Sequence, residues 1–176
     1  VIAVATGRRH LLPPRLALSL VRHAALRSEL GYFTGNLSDI IAGGLIVSRL
    51  GDDRAAIQLA RTRSLGLLAL GLGLIGLERI ARAIFVRCQR VGGDRLPAAY
   101  AFCAEALYHF AQGAWVEGDR CIASSEARLG KPRDQHLNGA LLCMRALSLH
   151  MRGETAQALA AFDTLLQLGR ERGNRQ

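Results

Sequence analysis

Glycines at two interleaved positions recur along this chain at nearly one period. Gly51, Gly92, Gly130 and Gly169 end the tripeptides RLG, RVG, RLG and QLG and lie 41, 38 and 39 residues apart. A second series, Gly35, Gly76, Gly113 and Gly153, precedes them by 16 or 17 residues. Glycine enters the left-handed conformation at a helix C-terminus without a Cβ penalty, so it stops helices. Two stops per period of about 40 residues describe a helix–turn–helix unit repeated along the chain. The spacing predicts paired helices A and B at 15–34 and 37–50, 53–74 and 77–91, 97–112 and 116–129, and 133–152 and 155–169. The last of these frays toward Arg172. Asp52, Asp94 and Asp134 follow the turns as candidate N-caps. Pro97 and Pro132 fall near helix starts, where a missing N–H costs little.

Composition agrees. Half of the 176 residues are hydrophobic, only 5% are aromatic, and no long stretch alternates apolar with polar residues. That is the make-up of stacked helices rather than of a β-sandwich. The length suits one domain, spanning 1–176, with 1–14 as the tail of a preceding helix B and its turn. The net charge is +9, and Lys131 is the only lysine. The arginines are scattered, apart from Arg170, Arg172 and Arg175, and no basic face interleaved with aromatics argues for nucleic acid. The longest uncharged apolar run, 65–77, is too short to span a bilayer. Cys88, Cys103, Cys121 and Cys143 form no CxxC pair and lie in apolar helical stretches, which points to reduced thiols and a cytoplasmic setting. Cys103 and Cys143 share one repeat position, ten residues before the turn glycine, a small apolar slot.

Gly71-x-Gly73-x-x-Gly76 has the glycine spacing of a dinucleotide-binding turn. That motif needs a second strand after the helix, and the sequence after Gly93 is helical instead. Gly76 already belongs to the repeat register. Gly66, Gly71 and Gly73 are then expected where helix backbones approach closely, in preference to a soft point in the array. Glu105 and His109 stand four apart on one helix face, but no second ligand pair follows, so neither a metal nor a cofactor is assigned. His109 and His150 sit in the last turns of A helices, where a cation favours the dipole. No nucleophile–base arrangement emerges, and no catalytic residue is assigned.

Aligned on the turn glycine, the units resemble the tetratricopeptide repeat (TPR). Ser28, Ala69, Ala106 and Ala146, all small, stand seven residues before it. Ala81 with Phe85 and Ala158 with Phe162 stand five and nine after it, matching the Ala–x3–Phe signature of helix B. The third unit departs with Gly118 and Ile122, the first with Ile40 and Gly44. Trp115 takes the aromatic place after the turn. The repeat proline is absent, and the units exceed the family's 34 residues. More narrowly, ALYHFAQGAWVEGDRCIASSEARLG and the segment from Ala146 resemble the C-terminal repeat region of bacterial signalling ATPases, adenylate-cyclase-like proteins and LuxR-type regulators.

The resemblance implies an all-α, right-handed superhelix of about four hairpins. It implies a protein-interaction or regulatory role inside a larger signalling protein, with the ATP-binding chemistry in other modules and no enzyme activity here. By the same analogy the concave groove is lined by Arg22, Tyr32, Arg63, Tyr100 and His150, for a protein or peptide partner or a neighbouring domain. The terminal segments are expected to expose apolar surface and invite a homodimer. The alternative is a small-molecule sensor with its ligand between helices near 67–75 and 100–109.

Overall fold

The computed structural model describes residues 14–49, 55–90, 95–129 and 134–173. They form eight helices and no strand: α1 Pro14–Thr34, α2 Leu37–Arg49, α3 Ala55–Leu74, α4 Glu78–Gln89, α5 Arg95–Ala111, α6 Trp115–Leu129, α7 Gln135–Met151 and α8 Thr155–Gly173. The predicted pairs are all present, with ends displaced by a few residues.

The turns inside the pairs are alike in detail. Gly35, Gly76, Gly113 and Gly153 have φ of 70°, 87°, 73° and 80°, and no other described residue has positive φ. In each turn the amide after the glycine donates five residues back: Asn36 to Gly31, Leu77 to Leu72, Ala114 to His109 and Glu154 to Leu149, at 2.7–2.9 Å. The glycine amide donates three back in every case. This double bond pattern satisfies carbonyls that the ending helix leaves open. Gly76 therefore closes a helix, and Gly71 and Gly73 lie within α3, so the dinucleotide turn is absent.

Gly51, Gly92 and Gly130 lie outside the described residues, as do Asp52, Asp94, Pro132, Lys131 and the segment 1–13. Gly169 departs from expectation. It lies inside α8, which runs on to Gly173, with open space around its Cα. Nothing after it in the described chain packs back to demand a turn. Asp134 does cap α7, its carboxylate accepting from the Leu137 amide at 2.8 Å. Asn36, which was not singled out, caps α2 by accepting from the Ser38 amide at 3.1 Å.

Packing follows chain order. Each helix touches its hairpin partner, every described helix except α8 also touches a hairpin beside its own, and the odd-numbered helices touch one another in succession. The core is correspondingly strung out in clusters. Val21, Ala24, Val47 and Ile57 join α1, α2 and α3. Ala69, Leu70, Ala81, Phe85 and Ala104 join α3, α4 and α5. Ile122, Leu129, Leu137, Leu141 and Met144 carry the core on through α6 and α7. The small residues seven before each turn glycine, Ser28, Ala69, Ala106 and Ala146, are all 0% exposed.

The helical glycines mark close approach. A Cβ on Gly66 would stand 2.9 Å from the Ala104 Cβ, one on Gly71 2.9 Å from Leu37, and one on Gly73 2.5 Å from the Tyr108 ring. At Gly118 it would strike the Phe110 ring. That ring stacks on Trp115 at 5.3 Å across the third turn. The last helix has only Ala158 among its buried apolar residues and leaves Leu159 and Leu166 exposed.

Candidate functional site

The turn register explains why certain side chains share a face. Arg22, Arg63 and Tyr100 each stand thirteen residues before a turn glycine, on α1, α3 and α5. Arg63 and Tyr100 meet directly: the guanidinium lies over the ring, 5.0 Å from its centroid. Arg63 also pairs with Glu29 of α1 at 2.7 Å. The Tyr100 hydroxyl donates to Asp134 Oδ1 at 3.1 Å, the same oxygen that caps α7. Glu29, Arg63, Tyr100 and Asp134 thus form one polar string that crosses α1, α3, α5 and the start of α7.

Electrostatics follow from this placement. Burial holds the Tyr100 phenol well above its ordinary value. The Arg63 charge opposes that, and Asp134 adds to it. Tyr32, near the end of α1, has its phenol raised by burial and then by the thiols of Cys103 and Cys143. Tyr32 is 37% exposed, and its ring meets Phe33 edge-on at 5.5 Å. Of the five expected groove residues, the structure brings Arg63 and Tyr100 together, and Tyr32 stands apart near the end of α1. Arg22 is exposed on α1, and His150 is exposed in the last turn of α7. Glu29 and Asp134 belong to the same surface, and reasoning on single helices missed them. Neither shares the register of Arg63 and Tyr100, since Glu29 stands six and Asp134 nineteen residues before a turn glycine, so spacing alone did not mark them.

The four cysteines carry no disulfide. Burial pushes the Cys88 thiol up to about 11 and the Cys103 thiol up to about 12. Cys103 is buried and Cys143 only partly so, so the shared slot is not equally enclosed.

A second constellation lies in the third hairpin. Glu105 and His109 of α5 face Cys121 of α6, and one ligand atom from each falls within 4.8 Å of the others. Cys121 Sγ donates to Glu105 Oε2 at 3.7 Å. Gln89, at the end of α4, donates to that same oxygen. All three clustered residues are partly buried. The sequence offered Glu105 and His109 as an isolated pair, and the fold supplies the third group.

No helix among the described residues is long and apolar enough to cross a membrane. Comparison with family models, with curated proteins and with solved structures gives no match.

Proposed function

We propose that the chain is a TPR-like protein-interaction module, its hairpins wound into a right-handed superhelix whose concave face is built from α1, α3, α5 and α7. The observation that carries this reading is the polar string from Glu29 through Arg63 and Tyr100 to Asp134. It places a cation and an aromatic on successive A helices, both partly exposed. Arginine and tyrosine are the residues that most often anchor a bound segment, and here both are already oriented. The neighbour-only packing supports a stacked array, in which each hairpin buries its apolar face on the next.

On this reading the partner is an extended peptide or an adjoining domain of a larger cytoplasmic signalling protein of bacterial type. Arg22, Tyr32 and His150 extend the surface on either side of the string. Leu159 and Leu166 of α8 offer a place for a further hairpin or a second copy. The interaction reading is favoured over a small-molecule site between α3 and α5, because Gly66 against Ala104 and Gly73 against Tyr108 fill that seam.

Site-specific photocrosslinking tests the proposal. A photoreactive residue at Arg22 or His150 should trap a discrete partner in cells producing the protein, and one at Arg82 on α4 should not. Equal trapping from all three positions would overturn it.

A further inference from the structure

We propose that Glu105, His109 and Cys121 bind one borderline-soft divalent cation of the zinc type in the seam of the third hairpin. Their ligand atoms lie within 4.8 Å of one another. Tetrahedral ligands about 2.0–2.3 Å from an ion stand roughly 3.3–3.8 Å apart. Cys121 Sγ and Glu105 Oε2 are already 3.7 Å apart, and small side-chain rotations bring in His109. One thiolate, one imidazole and one carboxylate form a mixed set that suits zinc and disfavours calcium or magnesium, which take oxygen. Three protein ligands leave a fourth position for water. Binding displaces the thiol proton to solvent, leaving the thiolate on the ion.

The repeat supplies an independent argument. Glu105 and His109 stand eight and four residues before Gly113, and Cys121 eight after it. The matching positions about Gly76 are Leu68, Leu72 and Ile84. Those three pack together in the second hairpin, Leu68 buried and the other two against its cluster. The third hairpin therefore has three potential ligands in the slot where its neighbour has an apolar seam. All three groups are partly buried, and the hydrogen bonds to Glu105 Oε2 come from Cys121 and Gln89 but not from His109, whose ring is left for a ligand. The i, i+4 spacing on α5 aims Glu105 and His109 to one side, and Gln89 steadies the carboxylate from α4.

Cobalt(II) titration of the reduced, chelator-treated chain tests the assignment. One equivalent should saturate it, with a thiolate-to-cobalt charge-transfer band and the visible bands of a tetrahedral ion, and zinc should bleach both. Cys121→Ser should abolish the charge-transfer band, and Cys143→Ser should keep it. Gln89→Ala should weaken binding by ~10–100-fold. The triple variant Glu105→Leu, His109→Leu, Cys121→Ile copies the second hairpin's seam. It should fold and lose the zinc-induced rise in melting temperature that the parent shows. Lack of saturable binding at one equivalent, or a charge-transfer band that survives Cys121→Ser, would overturn the proposal.

Discussion

Replacing Gly43 with alanine tests how closely α1 and α2 approach. A Cβ there would meet the Ser28 hydroxyl, stand 2.5 Å from the Ala24 carbonyl oxygen and 3.2 Å from the Ser28 amide nitrogen. Carbon and oxygen tolerate about 3.3 Å, so the helices must part by roughly 0.8 Å to clear the Ala24 carbonyl, and the Ser28 side chain must also turn away. Two of the three obstacles are backbone and cannot rotate aside. Overpacking of this kind costs ~1–3 kcal/mol. Displacing Ser28 also disrupts its bond to Ser64 Oγ at 2.8 Å, buried between α1 and α3. That loss adds ~1 kcal/mol, and the better helix propensity of alanine returns ~1 kcal/mol. The net expectation is a loss of ~1–3 kcal/mol, or roughly 2–12 °C in melting temperature for a chain of this size. Gly169→Ala makes the same chemical change in α8 with nothing within 4 Å. It should be neutral or stabilising by up to ~1 kcal/mol. Urea and thermal unfolding followed by circular dichroism would separate the two. A Gly43→Ala protein as stable as the parent, beside a stabilised Gly169→Ala, would refute the close-approach argument.

Other perturbations probe the turns, the string and the buried thiols. Gly113→Ala should cost ~1–2 kcal/mol through backbone conformation alone, since its φ is 73° and its surroundings are open. Gly113→Asn should cost visibly less in the same unfolding assay. Asp134→Ala removes the α7 cap and strands the Tyr100 hydroxyl, for ~1–2.5 kcal/mol, whereas Tyr100→Phe loses only the second bond. The reverse order would break the link between them. The Cys88 thiol is raised from 9.0 to about 11 by burial. Its neutral form favours the folded state fully below pH 9, and that contribution is lost as pH rises from about 9 through 11. The slope approaches ~1.4 kcal/mol per pH unit for this group. Unfolding measured across that range should show the decline, and Cys88→Ala should flatten it in part.

The turn glycines made the fold legible. Gly35, Gly76, Gly113 and Gly153 could be recognised because a left-handed backbone restricts residue choice so strongly, and the small residues at Ser28, Ala69, Ala106 and Ala146 then located the seams. Gly169 misled because its spacing matched a series, yet α8 runs on past it to Gly173. Side chains were legible one at a time. Arg63 and Tyr100 each stood out, but their stacking depends on two A helices lying in register, 37 residues apart in sequence. Cys121 was hidden from Glu105 and His109 because a turn folded between them. Only the turn's geometry shows that eight residues before and eight after Gly113 meet across one seam.

Neighbour-only packing also fixes how such a chain yields to force. Among the described residues no helix grips another beyond the adjacent hairpin, so tension along the array meets no long-range clasp to break all at once. The hairpin of α7 and α8, whose last helix is weakly buried, lets go first and passes the load to its neighbour. Each release of about 40 residues frees roughly 130–145 Å of extended chain. The molecule then lengthens in graded steps, as a compliant tether between whatever its two ends are joined to.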